Sequence, residues 1–275
     1  MPADLIADDL LDELYQLAVA TATGAAKIVA RYATSSPANP GTKSSPTDMV
    51  SDADRASEAY IVSQLLSSRP DDGVVGEEGS SHEGTSGVSW VADPLDGTTN
   101  FFFGVPIYSV SLAAQVGDRT VVGAVVDVAS GEVWSAARGR GAWRDGQRCA
   151  VAEGRSSLST ALVATGFSYH PEVRAEQARV LATLLPAVRD IRRLGSAALD
   201  LCGVAGGLYD AFYETGLNAW DWAAGGLVCE EAGGELIMLP GKTLLASTRS
   251  LSKPLGELIS STQASGHTSQ PGTVT

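Results

Sequence analysis

Three alternating, β-branched runs follow one another between residues 107 and 137, and they constrain the fold more than any other feature of the sequence. They are Ile107–Val116, Thr120–Val128 and Glu132–Ala137, separated by Gly-Asp and Ser-Gly pairs. Alternation with a period of two is typical of strands, and such short polar pairs form tight turns. The sequence therefore predicts an antiparallel meander of three strands.

Apolar residues recur at helical spacing before the meander. They predict helices over residues 4–32, with Leu10, Leu14 and Leu17 on the apolar face, and over residues 51–67. After Cys149 strand-like and helical segments alternate, which favours a layered α/β arrangement. Small residues at 223–226 would let the helix over residues 219–231 pack closely against its neighbours.

These patterns divide the chain into three parts. Residues 1–149 form an N-terminal α+β half with the antiparallel sheet and most of the candidate metal ligands. Residues 150–263 form a C-terminal α/β half. The small, polar residues 264–275 are expected to be a disordered tail.

Composition excludes several classes of function. The 275 residues carry a net charge of −13, which disfavours nucleic acid and anionic lipid as partners. The 3 His do not cluster, so a zinc site is not expected. The 3 Cys are widely spaced and are read as reduced thiols. Neither a signal peptide nor a membrane span is expected, which predicts a cytoplasmic protein.

Acidic residues stand at the ends of three predicted strands or turns. The segments are Gly76–Gly79, Trp90–Asn100 and Asn218–Gly226. Ligands in layered α/β proteins gather at the carboxyl ends of strands. An acid at one such position is usually a turn residue or a helix cap, so each segment alone is a weak signal.

The central segment is more informative because its backbone has to turn back on itself. Pro94 stops the strand that ends at Asp93, Asp96 follows three residues later, and Gly97 permits an unusual backbone angle. Thr98 and its neighbours would open a short helix whose amide groups point at a bound anion. Two carboxylates about 4 Å apart repel by about 4 kcal/mol at an effective dielectric of about 20, so such a group needs hard cations such as Mg²⁺.

Carboxylates, an anion site and the absence of nucleophile motifs indicate metal-assisted phosphoryl transfer to water. The sequence has no G-x-S-x-G elbow and no G-x-x-x-x-G-K-[ST] loop. The Gly139-Arg140-Gly141 stretch is read as a turn.

Five motifs together resemble the inositol monophosphatase family over about residues 5–260. They are Lys43–Val50, Gly76–Glu78, Asp93–Asn100, Gly195–Ala198 and Trp220–Asp221. The stretch that continues to Cys202 is similar to actinobacterial members of the SuhB type. The resemblance implies a layered αβαβα sandwich, dependence on two or three Mg²⁺ ions, inhibition by lithium and a homodimer.

The resemblance also implies metal ligands. Glu77, Asp93 and the Leu95 carbonyl would hold one Mg²⁺, and Asp93, Asp96 and Asp221 would hold a second. Glu77 would also help to hold a loosely bound third ion.

Catalytic and substrate-binding roles follow from the same matching positions. Thr98, supported by Asp54, would orient the attacking water, and Glu77 completes the implied catalytic set. The implied substrate contacts are Lys43, Asp96, Gly97, Thr98, Ser196, Ala197, Glu214 and Asp221.

The function expected from the resemblance is Mg²⁺-dependent hydrolysis of myo-inositol 1-phosphate. One alternative keeps the fold but changes the substrate to histidinol phosphate, fructose 1,6-bisphosphate or a 3′-phosphoadenosine nucleotide. Asn218 and the apolar Phe101–Phe103 depart from the family pattern near the substrate pocket, which bears on that choice. Another alternative is a non-catalytic metal-binding regulatory protein, which would need the carboxylates but not Thr98 with Asp54.

Overall fold

The computed structural model describes residues 6–33, 41–42, 49–152 and 157–267 of the chain. In the N-terminal half, two long helices come before most of the strands, and a third, short helix interrupts the strand series. The elements are α1 (Asp8–Ala33), β1 (Gly41–Thr42), β2 (Met49–Val50), α2 (Asp52–Ser68), β3 (Gly73–Gly76), β4 (Ser81–His82), β5 (Val88–Asp96), α3 (Thr98–Phe103), β6 (Ser109–Val116), β7 (Arg119–Asp127), β8 (Val133–Ala137), β9 (Gly141–Arg144) and β10 (Gln147–Cys149).

Strands and helices alternate through most of the C-terminal half, as the sequence predicts. The elements are β11 (Leu162–Thr165), α4 (Pro171–Leu184), β12 (Asp190–Arg192), α5 (Ala197–Ala205), β13 (Ala211–Thr215), α6 (Ala219–Glu231), β14 (Glu235–Leu239), β15 (Thr243–Ser247) and α7 (Arg249–His267). The strands form a five-stranded sheet in the order β12-β11-β13-β15-β14. Within it, β11 is parallel to both β12 and β13.

The larger sheet has eight strands in the order β10-β9-β8-β7-β6-β5-β3-β4. Its centre, β6, β7 and β8, pairs antiparallel between neighbours and confirms the predicted meander. The sequence did not predict β9 and β10, which extend that meander. The one parallel pair, β3 with β5, brings the carboxyl ends of these two strands to the same edge.

The elements stack in five layers. Helices α1 and α2 cover one face of the eight-stranded sheet, and α5 and α6 lie between the two sheets. Helices α4 and α7 cover the outer face of the five-stranded sheet. The fold is therefore the predicted αβαβα sandwich. Buried residues of both halves meet around α5 and α6, so the two halves share that part of the core.

Helix α6 packs closely because glycine stands at its contacts with β7 and α5. A side chain at Gly123 of β7 would lie 2.6 Å from the Ala224 carbonyl, and one at Gly225 would lie 2.9 Å from the Ala198 carbonyl. These contacts support the predicted close packing of residues 223–226. They hold the N-terminus of α6, which carries Asp221, at a fixed place between the sheets.

Helix α1 confirms the predicted first helix, and Leu14 of the predicted apolar face is fully buried. Leu10 and Leu17 are only partly buried, and the fully packed stripe is instead rich in alanine. It consists of Leu11, Leu14, Ala18, Ala22, Ala25, Ala26 and Val29. Alanine allows α1 to lie close to the sheet without a row of large side chains.

The C-terminal prediction also needs correction. The sequence does not predict helix α7, and this helix includes residues 264–267, which the sequence predicts to be part of a disordered tail. Its apolar residues, such as Leu251, Leu255 and Ile259, are buried against the five-stranded sheet. Residues 268–275 lie outside the described residues. Within the described ranges, none of the helices combines the length and the apolar character that a membrane crossing requires.

Candidate active site

A sharp turn at the end of β5 places two carboxylates side by side. Asp93 lies opposite Ser111 of β6, and the strand register then shifts before Asp96 lies opposite Ser109. The Asp93 carboxylate accepts a hydrogen bond from the Leu95 amide at 2.9 Å, which fixes the turn. Pro94, which has no N–H to donate, lies where the ladder is interrupted, but β5 continues to Asp96 and does not end at Asp93 as the sequence predicts.

Gly97 completes this turn in a conformation that suits glycine. Its φ is +95°, and a side chain there would lie 3.0 Å from the Ile107 carbonyl. Helix α3 begins at Thr98, immediately after the glycine.

The Thr98 hydroxyl lies between two acceptors. It is 2.9 Å from the Leu95 carbonyl and 3.2 Å from a carboxylate oxygen of Asp54. The backbone amide of Ser51 donates to the other Asp54 oxygen at 2.8 Å, and the Ser51 hydroxyl donates to it as well. The capping box at the start of α2 thereby fixes the carboxylate that faces Thr98.

Glu77 reaches the same place because β3 runs parallel to β5. Its amide donates to the Ala92 carbonyl at 3.2 Å. Behind this turn the buried carboxylate of Glu58 accepts a hydrogen bond from the Glu78 amide at 3.1 Å. A side chain at Gly76 would collide with that carboxylate, at 2.0 Å. Sequence reasoning did not single out Glu58, which supports the turn that carries Glu77.

The C-terminal half closes over the Asp93–Thr98 turn. One oxygen of Asp96 accepts hydrogen bonds from the Ser196 hydroxyl at 2.6 Å and from the Ala198 amide at 2.8 Å. Asn100 donates to the carbonyls of Ile107 and Leu194, at 2.8 and 2.7 Å. These bonds connect the turn to the segment that begins α5, so residues from both halves line one cleft.

The cleft has a volume of about 540 Å³. Its walls include most of the predicted site residues: Glu77, Asp93, Leu95, Asp96, Gly97, Thr98, Ala197, Glu214 and Asp221. Asp54 and Ser196 stand behind the wall, in contact with Thr98 and Asp96 respectively. Lys43 lies outside the described residues.

Sequence reasoning missed other parts of the wall. Arg193 places a guanidinium in the cleft, and Phe167 and Tyr169 line it from the loop that follows β11. The only sequence signal for Arg193 was its position just before the Gly195–Ala198 motif.

Burial and mutual repulsion raise the pKa values of the carboxyl groups in this cleft. Burial, followed by the charges of Glu77, Asp96 and Asp221, raises the pKa of Asp93 well above its usual range. Burial raises the pKa of Asp96 to about 6, although hydrogen bonds from Ser196 and Ala198 oppose the shift.

The same cause acts on the two carboxyl groups from the C-terminal half. Burial raises the pKa of Asp221 to about 8 against a hydrogen bond from the Asn218 amide. The pKa of Glu214 also rises to about 8, because of burial and the charge of Asp96, while Arg193 opposes the shift. The cleft therefore holds more negative charge than its own residues neutralise.

The donors in the cleft fit a hard cation. Glu77, Asp93, Asp96 and Asp221 offer carboxylate oxygens and Leu95 offers a carbonyl, which are the ligands that Mg²⁺ prefers. In the parts of the chain that are described, no group of three or more His, Cys, Asp or Glu side chains is already arranged to hold an ion. One oxygen of Asp96 accepts a hydrogen bond from the Ala198 amide, and one oxygen of Asp221 accepts one from the Asn218 amide. Ion binding therefore has to bring the carboxylates closer together than they are in this structure.

Without metal, the protein should lose stability as the pH rises. The unfolded carboxyl groups release their protons near pH ~4, whereas Asp221 and Glu214 keep theirs until about pH 8 in the fold. The folded state binds more protons in that interval, so the free energy of unfolding falls as the pH rises through it. In EDTA, the Tm is expected to drop by about 5–10 °C between about pH 5.5 and about pH 8.5.

Two controls identify the source of that drop. Mg²⁺ should raise the Tm most at the alkaline end, because it binds the ionised carboxylates. Glu214→Gln should flatten part of the slope in EDTA, whereas Glu257→Gln, at an exposed position on α7, should leave it unchanged. A slope that neither Mg²⁺ nor Glu214→Gln alters would contradict this assignment.

The chain therefore combines a layered αβαβα fold with a carboxylate-lined cleft between its two halves. The model of the inositol monophosphatase family matches residues 10–267, and the chain belongs to that family.

Individual relatives agree with this membership. The chain is 48% identical over 204 residues to "Inositol-1-monophosphatase SuhB" of Mycobacterium tuberculosis, covering 71% of this chain and 70% of the relative. It is 39% identical over 226 residues to "Nus factor SuhB" of Haemophilus influenzae, covering 82% and 84%. A crystal structure of the extragenic suppressor protein suhB from Bartonella henselae superimposes with a TM-score of 0.84 at 34% identity, covering 89% and 97%.

Proposed function

We propose that the protein is a Mg²⁺-dependent phosphomonoesterase that hydrolyses myo-inositol 1-phosphate to inositol and phosphate. The observation that carries the proposal is the juxtaposition, in one cleft, of the carboxylates of Glu77, Asp93, Asp96 and Asp221 with the Thr98–Asp54 pair. The carboxylates can bind cations, and the Thr98–Asp54 pair can hydrogen-bond and orient a water molecule. Family membership and the name of the mycobacterial relative support the same activity.

The residues have distinct tasks in this proposal. Glu77, Asp93, Asp96, Asp221 and the Leu95 carbonyl would hold two or three Mg²⁺ ions. When bound, Mg²⁺ neutralises the charge on the phosphate and lowers the pKa of a water molecule.

Two contacts of this chain orient the reactants. The Thr98 hydroxyl, with Asp54 as its acceptor, leaves an oxygen lone pair free to accept a hydrogen bond from the attacking water. The amides of Gly97 and Thr98 remain the predicted contacts of the phosphate, and Arg193 adds a positive charge in the same cleft.

Glu214 is the proposed contact of the ring hydroxyls, together with Ser196 and Ala197. Its carboxylate packs directly against the backbone of Gly166: a side chain there would lie 1.9 Å from a Glu214 oxygen. Gly166→Ala should therefore displace the Glu214 carboxylate. We expect the KM for inositol 1-phosphate to rise about tenfold and kcat to change little, because the metal ligands and Thr98 are untouched.

A matched glycine tests whether that effect is local. At Gly256, a side chain would meet only the ends of apolar side chains, at 3.3 Å or more. Gly256→Ala should leave the KM unchanged. An unchanged KM in Gly166→Ala would contradict the role of Glu214.

The experiment that tests the proposed function measures phosphate release with Mg²⁺ and with EDTA over a panel of substrates. The panel contains inositol 1-phosphate, histidinol phosphate, fructose 1,6-bisphosphate and 3′-phosphoadenosine 5′-phosphate. Preference for inositol 1-phosphate that EDTA removes would support the proposal. Mg²⁺-dependent release from another member of the panel would keep the mechanism and replace the substrate.

A second candidate function rests on the name of relatives such as "Nus factor SuhB" of Haemophilus influenzae. It is a regulatory role without catalysis, and the absence of phosphate release from the whole panel would favour it. The net charge of −13 disfavours direct contact with nucleic acid, so the partner in that case would be a protein.

We also propose that the protein works in the cytoplasm as a homodimer that lithium inhibits. The exposed Phe103 (77% exposed), at the end of α3, and the nearby exposed Val105 are suitable for an interface. Light scattering of the purified chain tests the dimer, and phosphate release with added LiCl tests the inhibition.

A further inference from the structure

A second cavity, of about 960 Å³, lies behind the wall of the active-site cleft. It opens between α4 and α7, at the carboxyl ends of the parallel strands β11 and β13. Gly166, Phe167, Val173 and Thr215 line both spaces, so a thin wall separates the cavity from the cleft. The volume lies in the range of sites for small organic ligands.

The lining of this outer cavity is mainly apolar. Phe167, Val180 and Pro240 contribute hydrocarbon surface, and the Tyr213 ring, which is 5% exposed, is part of the lining. The charged residues are Glu172, Glu176 and Arg179 on α4. This combination favours an uncharged ligand over an anion such as a phosphate ester, which the carboxylates of α4 would repel.

Gln177 belongs to this lining and carries a buried polar group. Its side chain is 9% exposed, and its Oε1 accepts a hydrogen bond from the Ser168 amide at 2.9 Å. Its buried Nε2 makes no hydrogen bond to any residue that the structure describes. A buried donor without a partner costs about 1–3 kcal/mol, and a ligand that offers an acceptor removes that cost.

We infer that the outer cavity is a binding site for a small, neutral, largely apolar molecule that carries a hydrogen-bond acceptor such as a carbonyl oxygen. The acceptor receives the Gln177 Nε2 hydrogen, and the apolar part fills the space between Phe167, Val180 and Tyr213. The inference is independent of the proposed phosphatase activity, because it rests on the shape and the polar groups of the outer cavity alone.

Such a ligand would also stabilise the wall of the cleft. Gln177 connects the cavity to Ser168, and the loop that contains Ser168 continues to Tyr169 and His170 in the cleft. With Ser168 bound to Oε1 and the ligand bound to Nε2, the Gln177 amide would be fixed at both of its polar atoms. This should slow local opening of residues 166–170. A ligand in the outer cavity would then reduce the mobility of the cleft wall.

The test uses acetanilide as the probe for the full-length chain. Acetanilide is an uncharged molecule in which a phenyl ring carries an amide with a carbonyl acceptor. Saturation-transfer NMR and titration should show binding to the unaltered protein. Gln177→Glu keeps the oxygen that Ser168 requires and removes the donor, so it should weaken acetanilide binding about tenfold. Ser260→Phe fills the cavity from α7 and should abolish binding.

A control variant on the same helix separates occlusion from general damage. Ser250→Phe introduces the same side chain at an exposed position outside the cavity lining and should bind acetanilide normally. The Tm of each variant verifies that it is folded. Binding that Ser260→Phe leaves intact, or no binding to the unaltered chain, would overturn the inference.

Two further measurements extend the test. Acetanilide should slow hydrogen exchange severalfold in a peptide that covers residues 166–170, and should not do so in Ser260→Phe. Residues 268–275 follow α7 directly, so the chain is also examined after truncation at residue 267. If only the truncated chain binds acetanilide, residues 268–275 are the occupant, and the assignment to a small molecule is wrong.

Discussion

Asp93→Asn is expected to abolish turnover while leaving the protein folded. Asp93 is the carboxylate proposed to contact two ions, and an amide offers one neutral oxygen in place of two charged ones. The loss of charge stabilisation amounts to several kcal/mol, so phosphate release should fall by about a thousandfold or more. Asn retains the oxygen that accepts the Leu95 amide at 2.9 Å, so the turn is preserved.

Thermal unfolding distinguishes this effect from damage to the fold. Burial and neighbouring charges raise the pKa of Asp93, so an uncharged amide relieves repulsion in the metal-free cleft. In EDTA, Asp93→Asn should therefore match or exceed the Tm of the unaltered protein, and Mg²⁺ should raise its Tm much less. Asp118→Asn, at an exposed turn, serves as the matched control and should change neither property. Normal activity in Asp93→Asn would refute the assignment of the metal ligands.

The sequence predicts most of the cleft because its residues lie in short segments at the ends of predicted strands. Pro94 and Gly97 determine the turn that carries Asp93 and Asp96, and both effects are local. A turn that depends on two residues only three positions apart can be inferred without knowledge of the rest of the fold. The meander between residues 107 and 137 is predictable for the same reason.

The parts that were missed depend on contacts between distant segments. Arg193 lines the cleft beside Leu194, whose carbonyl accepts a hydrogen bond from Asn100, 94 residues away along the chain. No local sequence pattern predicts this contact. The role of Glu58 is equally hard to predict, since its hydrogen-bond donor, the Glu78 amide, lies in the turn after β3, 20 residues along the chain.

Helix α7 shows a different limit of the prediction. Leu251, Leu255 and Ile259 are four residues apart, which is a helical signal. Pro254, together with several serines and a glycine in the same stretch, obscured that signal. As the sixth residue of α7, Pro254 lacks the N–H that would donate to the Ser250 carbonyl, and the burial of Leu251, Leu255 and Ile259 against the five-stranded sheet offsets this cost.

The cleft and its surroundings divide the tasks of stability and function. The carboxyl groups with raised pKa values destabilise the metal-free fold, and the close packing of α5 and α6 beneath them offsets part of that cost. Alanine and glycine at the α6 contacts fix the backbone rather than filling the cleft with side chains. The same contacts therefore maintain the position of Asp221 and leave its carboxylate accessible.

Thr98→Ala should lower kcat by about a hundredfold to ten-thousandfold and leave the KM nearly unchanged. The substitution removes the hydroxyl that lies 3.2 Å from Asp54, whereas the backbone amides of Gly97 and Thr98 that are predicted to contact phosphate remain. Thr98→Ser retains the hydroxyl and should recover most of the activity. Recovery in Thr98→Ser would assign the loss to the hydroxyl, and an unchanged Tm in Thr98→Ala would show that the turn held by the bond to the Leu95 carbonyl is intact.

Asp54→Asn completes this test. The proposed task of Asp54 is to accept the hydrogen bond that the Thr98 hydroxyl donates, which leaves a lone pair of the hydroxyl oxygen facing the water. An amide at residue 54 can present its NH₂ group to Thr98, which would reverse the direction of that hydrogen bond and occupy the oxygen lone pair. The double variant Thr98→Ala/Asp54→Asn should then be no slower than Thr98→Ala alone, since both changes remove the same interaction. Losses in kcat that multiply in the double variant would show that the two residues act independently and would contradict the pair.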